Sequence, residues 1–212
     1  MATTETRMLL LGAVAIFEPV NGYQIRRELV SWGVEDWANI RPGSIYNGLA
    51  TLAQRGELVR HDLRDGSREV AVYELSDLGR EEFKRLLEQA ITEVRLTSPL
   101  AFQTALSMLP LVEREEASRL LKVRLEKLDQ ARAEGEQRAV DVEHVPPHVI
   151  AMMDYWDRVA TVEREWLLRL IFRIGDGELN FLGEPMDWTP AEDDPGHQMS
   201  ADRERYLAML RG

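Results

Sequence analysis

Pro42-Gly43-Ser44-Ile45-Tyr46-Asn47-Gly48-Leu49-Ala50-Thr51-Leu52-Ala53-Gln54-Arg55-Gly56 is the stretch on which the fold turns. Proline is tolerated in the first turn of a helix, Ser44 is well placed near the start, and Gly56 supplies a stop. The pattern predicts a helix after Arg41-Pro42-Gly43. Its apolar residues Ile45, Leu49 and Leu52 are spaced four and three, which puts them in one stripe on one face. The other face carries Tyr46, Asn47, Gly48 and Thr51, a short polar surface free to touch something outside the protein.

Two further helices are predicted upstream. Asn21 caps one that carries Tyr23, Ile25, Leu29 and Val30 and ends near Trp32-Gly33, where glycine suits the left-handed position. The other runs from about Thr4 to Phe17, capped by Thr3 or Thr4, with Pro19 just beyond its end. Its run from Met8 to Phe17 is apolar on most sides, which places it in the centre of a core or at a dimer seam. Ten apolar residues are too few to span a bilayer. Glu5 ahead of the run and Glu18-Pro19 behind it do not fit a secretory leader. The expectation is a buried helix in a cytoplasmic protein with no membrane partner.

Downstream lie two strand-like runs, Leu58–Leu63 and Val70–Leu75, joined by Arg64-Asp65-Gly66-Ser67-Arg68. Asp-Gly between such runs is a strong hairpin signal. Ser76 then caps another helix, with Asp77, Glu81 and Glu82 placed well against its dipole. The order helix, helix, helix, hairpin, helix is that of a winged helix-turn-helix. In that arrangement the third helix enters the major groove of double-stranded DNA and the hairpin, the wing, meets the backbone or minor groove.

Beyond Glu93 the chain reads as mostly helical. Long helices are expected from Glu113 to about Val142 and from Val149 to about Ile174, joined at Pro146-Pro147. Leu120, Leu121, Leu125 and Leu128 supply rungs on the first; Met152, Met153, Trp156, Val159, Trp166 and Leu167 on the second. Two such stripes bury best across a two-fold axis, which points to a homodimer. From Gly175 onward nine acids stand against three arginines, with a short helix expected over about Ser200–Leu210. The expected class is mainly α with a small β-hairpin: a winged helix-turn-helix DNA-binding domain over 1–90, a helical dimerisation domain over 91–175 and an acidic extension over 176–212. That extension is either solvated or docked on the body through Phe181, Leu182, Trp188 and its helix.

Hydrophobic residues at 44% and charged residues at 30% exclude a disordered chain. The absence of cysteine excludes disulfides and thiolate chemistry. The net charge of −11 looks wrong for a DNA binder, so its distribution matters more than its sum. Residues 1–85 hold 11 Lys/Arg against 13 Asp/Glu, a net of −2, whereas 86–212 hold 15 against 24, a net of −9. Within 41–68, five arginines meet three acids, so the only modestly basic stretch lies where a DNA reader would place it. His144 and His148 have ligand spacing, but Pro146-Pro147 breaks the helix that would align them. With no phosphate loop or nucleophile elbow either, no enzyme, metal or cofactor is expected.

Leu10-Leu11-Gly12, Asn21-Gly22-Tyr23-Gln24-Ile25, Pro42-Gly43-Ser44-Ile45-Tyr46 with Leu49 and Leu52, Gly56-Glu57-Leu58-Val59, and Tyr73-Glu74-Leu75-Ser76-Asp77-Leu78-Gly79 together resemble the PadR family of bacterial transcription regulators, in its order and spacing. The resemblance implies a homodimer on a palindromic operator, usually with repression relieved by an effector. The long C-terminal part is similar to the larger subgroup with a helical dimerisation domain. Carried over residue by residue, Ser44, Tyr46 and Asn47 fall at the start of the reading helix and Arg64 and Arg68 on the wing. Asn47 stands where the family often has proline, and Glu69 and Glu74 dilute a wing that is commonly more basic.

The candidate DNA-contacting set is Arg41, Ser44, Tyr46, Asn47, Thr51, Arg64 and Arg68. Asn47 has the groups for a bidentate contact to adenine, whereas Gln54 lies near the far end and is expected to face solvent. Tyr46 either reaches a phosphate or packs half-buried against the second helix. Arg64 and Arg68 are either phosphate contacts or ordinary surface charge. Met152, Trp156 and Trp166, with Met153 beside them, are either an aromatic effector pocket or plain core. The rival function is a winged helix that docks a protein partner and not DNA.

Overall fold

The computed structural model describes the chain except residues 1–2, 39, 139–143, 186–188, 190, 193, 195 and 212, and the side chains of 136 and 138. It forms two compact units. One joins residues 1–87 with 186–212, and the other is 88–185.

The first unit is built round α1 (Thr4–Phe17), whose N-cap Thr3 accepts a hydrogen bond from the Thr6 amide. Met8, Leu9, Leu10, Leu11, Ala13 and Val14 are completely buried, as a helix apolar on most sides must be. A two-residue strand β1 (Val20–Asn21) leads into α2 (Gly22–Ser31). The start of α2 is a capping box: Asn21 Oδ1 accepts from the Gln24 amide, and Gln24 Oε1 accepts from the Asn21 amide. Gly33 takes φ 67°, a left-handed conformation that glycine adopts without Cβ strain, and a short helix α3 (Val34–Trp37) follows.

Helix α4 (Pro42–Gln54) is the third helix expected from the sequence, with Ile45, Leu49 and Leu52 buried. Strands β2 (Leu58–Asp65) and β3 (Arg68–Leu75) form the hairpin, in register from Leu58–Leu75 to Asp65–Arg68. The sheet has three antiparallel strands in the order β1-β3-β2, one more than the hairpin alone. A two-residue strand ending on a helix cap carries no alternation, so β1 left no signal in the sequence, and four-residue α3 is barely longer than one helical period. Ser76 caps α5 (Asp77–Thr92) by accepting from the Gly79 amide at 3.0 Å.

In the second unit, α6 (Leu100–Ser107) and a 3-10 turn (Leu109–Leu111) precede the long α7 (Arg114–Arg138) and α8 (Pro147–Gly175), which pack on each other. Leu120, Leu121, Leu128, Ala160, Leu167 and Ile174 fill the seam. The expected end of α7 near Val142 lies outside the described residues. The largest fully buried side chain is a cation. Arg124 is 1% exposed, lies 3.5 Å from the Phe102 ring centroid, pairs with Glu163 at 2.7 Å and donates to the carbonyls of Ile91 and Glu93. The guanidinium is thus met by a carboxylate, two carbonyl dipoles and a π-face, which is what allows it to be buried. Arg114 plays a similar part nearer the surface, bridging Glu184 and the carbonyls of Leu179 and Ile174.

The last helix, α9 (Gly196–Arg211), belongs to the first unit and packs against β1. Tyr206 is 2% exposed, and its hydroxyl accepts from Asn21 Nδ2 at 2.8 Å. Trp188, expected to help dock the extension, lies outside the described residues. Among the described residues no helix is long and apolar enough to cross a membrane.

Candidate nucleic-acid interface

The backbone of α4 sorts its side chains by period. Ile45, Leu49 and Leu52 turn inward, whereas Arg41, Ser44, Tyr46, Asn47 and Thr51 are exposed. Gly48 does not share the polar face expected for it. It is buried, and a Cβ there would run into the side chain of Leu10. The residue that weakens the helix by propensity is thus the one that lets α1 and α4 approach. The helix has no side-chain cap: Ser44 instead donates its hydroxyl to the Arg41 carbonyl at 2.7 Å. Thr51 donates to the Asn47 carbonyl at 2.8 Å, leaving its lone pairs outward.

Tyr46 packs half-buried against the second helix, one of its two alternatives. Its ring lies against Gly22, where a Cβ would meet it at 3.2 Å, yet it remains 45% exposed. Tyr23, on the first turn of α2, is 61% exposed. From sequence, Tyr23 is a residue of the second helix with no role attached to it. Its sign was a large aromatic next to a cap, off the Ile25–Leu29 stripe.

On the wing, Gly66 has φ 63° at the turn, and Arg64 and Arg68 are exposed. Arg41, Arg64 and Arg68 form no ion pair among the described residues. The wing's acids are mostly engaged elsewhere. Asp62 pairs with Arg60 at 2.8 Å, and that hydrogen bond raises the Arg60 pKa. Glu74 meets His61 at 2.8 Å, and Asp65 meets Arg205 of α9 at 2.9 Å. The dilution of basic charge read from the sequence is therefore reduced by pairing, and the free cations are those at the tip.

The candidate effector residues separate. Trp156 lines a cavity of about 380 Å³ between α7 and α8, together with Leu96, Ile150, Met153, Ala160 and Arg132. Met152 is 52% exposed, and Trp166 is 42% exposed with its ring edge-on to Phe102; neither lines that cavity. Among the described residues no cluster of His, Asp and Glu is arranged to hold a metal ion.

The model of the Transcriptional regulator PadR-like family matches residues 10–85. No curated protein matches the chain. Among solved structures, PadR of Bacillus subtilis in complex with operator DNA is similar at 20% identity, over 78% of this chain and 98% of that one, with a TM-score of 0.33. The PadR-like transcriptional regulator BC1756 from Bacillus cereus is similar at 16% identity, over 82% of this chain and 97% of that one, with a TM-score of 0.37. The matched stretch begins in α1 and runs through α4 and the wing into α5. Residues 10–85 of this chain are therefore similar to the PadR-like family of transcriptional regulators.

Proposed function

We propose that the protein binds double-stranded DNA sequence-specifically as a homodimer and represses transcription from a palindromic operator. The observation that carries this reading is the coincidence of two surfaces on one small unit. The exposed polar face of α4 offers Asn47 and the Ser44 and Thr51 hydroxyls to base edges or phosphates, and the hairpin tip carries two unpaired arginines. Direct readout needs the first and backbone positioning the second.

The dimer rests on α8. Met152, Tyr155, Val162 and Trp166 are exposed at 42 to 67% and follow the alternating three-and-four spacing of a helical seam, with Val159 completing it. An apolar stripe of that length on a long helix is costly in water and is buried by a second copy. The cavity lined by Trp156 and Met153 is within the size range of small-molecule sites, and a compact aromatic effector suits its apolar lining.

Selection of bound duplexes from a random pool with the purified protein tests the reading. Enrichment of an inverted repeat with half-sites about one helical turn apart is the expected result. Binding insensitive to salt, or absent at low salt, would refute it in favour of a docked protein partner.

A further inference from the structure

Asp65 and Arg68 face each other in register across the wing turn, so the carboxylate and the guanidinium are cross-strand neighbours. In an isolated hairpin with this sequence they would stand within reach of each other. Here the Asp65 carboxylate is taken by Arg205 at 2.9 Å, a residue of α9 that lies 140 positions away in sequence (205 − 65). Arg68 is left exposed and, among the described residues, without an ion-pair partner.

Arg205 is held in place by the rest of α9. Tyr206 next to it is buried and bonded to Asn21, and Asp202 one turn earlier pairs with Arg205 at 2.8 Å. Asp202 also accepts from Gln24 Nε2 at 2.8 Å, and Arg203 donates to the Glu18 carbonyl at 2.6 Å. Gln24, itself 4% exposed, belongs to the capping box of α2, so α9 is anchored to the same residues that start that helix. The guanidinium thus reaches the wing from a fixed base.

We propose that Arg205 is a positioning residue for DNA binding: by holding Asp65 it keeps Arg68 free for a phosphate. This rests on the DNA-binding reading above. Without Arg205, Asp65 is left with Arg68 as its cross-strand cation, and an internal pair then competes with the DNA for the same guanidinium. The acidic wing of this chain works as a basic one because a cation from the C-terminal helix neutralises the carboxylate at its tip.

The test is a set of four variants of the full chain, measured on the selected duplex across a salt series. Arg205→Ala is expected to weaken binding about five- to tenfold at roughly 0.1 M salt and to lower the salt slope by about one, the signature of one lost phosphate contact. Asp65→Asn combined with Arg205→Ala restores both to within about twofold, because no carboxylate remains to capture Arg68. In an Arg68→Ala background, Arg205→Ala has no further effect. A merely structural role for Arg205 would not be rescued by Asp65→Asn, and that result, or unchanged binding in Arg205→Ala, overturns the proposal. So does tighter binding in Arg205→Ala.

A second readout needs no DNA. The Arg68 Nε–H signal in nitrogen-15 NMR is expected to exchange with water more slowly in Arg205→Ala than in the wild type, and to revert in the double variant. If the wild type binds no duplex while this shift appears, the DNA reading falls and the hold of Arg205 on Asp65 stands. If the wild type binds DNA and the signal does not move, the inference falls and the DNA reading stands.

Discussion

Gly79→Ala places a methyl group where the first unit has no room for one. Gly79 is buried in the first turn of α5, and a Cβ there would collide with the backbone carbonyl of Glu57 and meet the Leu75 side chain at 3.2 Å. That carbonyl cannot swing away cheaply. It accepts from the Ser76 amide at 3.2 Å, while the Ser76 hydroxyl donates to the Gly56 carbonyl at 2.5 Å and accepts from the Gly79 amide. The Glu57 side chain is pinned as well, by Arg7 at 2.5 Å. Relief therefore requires α5 to back off, which loses the Ser76 cap, about 1 kcal/mol. It also loses the bond from the Ser76 amide to Glu57, about 1 kcal/mol, and loosens the packing beneath, about 1–3 kcal/mol. Against this stands a gain in helix propensity of at most about 1 kcal/mol. The net is a loss of about 2–4 kcal/mol, which lowers the melting temperature by roughly 10 °C in a unit of this size. Thermal unfolding followed by circular dichroism reads it. Gly135→Ala in α7 is the control, since a Cβ there meets nothing within 4 Å. It is expected to gain about 0.5–1 kcal/mol. A Gly79→Ala protein that melts at or above the wild-type temperature would show that the carbonyl of Glu57 is not the wall described.

Asn47→Ala is expected to relax discrimination at one base position by about 1–3 kcal/mol while leaving binding to random duplex nearly unchanged, read by competition with single-substituted operators. Uniform weakening across all sequences would instead make Asn47 a backbone contact. Arg124→Met strands the Glu163 carboxylate and two carbonyls in the second unit, and is expected to cost about 3–5 kcal/mol in a denaturant titration. The Glu82 carboxyl lies below its ordinary pKa because Arg85 donates a hydrogen bond to it, with Arg7 adding charge attraction. A depressed carboxylate contributes stability that is present above its unfolded value and lost as pH falls through the folded one. Melting temperature should therefore fall below about pH 4.5, and Glu82→Gln should flatten part of that limb; an unchanged acid profile would remove Glu82 from the account.

The sequence was most legible where one period governs a whole element. Ile45-Leu49-Leu52 oriented α4, Asp65-Gly66 placed the wing turn, and Asn21 and Ser76 marked helix starts by chemistry local to the cap. What stayed hidden depends on long-range approach. Gly48 reads as a flaw until Leu10 is seen against it, and β1 exists because β3 is beside it. The charge of the wing is the clearest case. Counted along the chain, Asp62, Asp65, Glu69 and Glu74 offset its cations; in space, three of the four face a positive or protonatable partner, and one of those partners comes from α9. Trp156 was legible as a pocket residue by type, but Met152 and Trp166 share its helix without sharing its cavity, because helical spacing fixes a face and not a depth.

That α9 completes the first unit has a consequence for the time course of synthesis. Asn21 finds its Tyr206 partner only after 185 further residues have been joined. At roughly 5–20 residues per second the rest of that unit emerges and then waits on the order of ten seconds for its last helix. Throughout that interval β1, an edge strand against which α9 will pack, and the polar ends of Asn21 and Gln24 stand open to water and to neighbouring chains. A nascent chain of this protein is therefore most vulnerable to mispairing in the interval before α9 is made, when the rest of the first unit has emerged but is not yet closed.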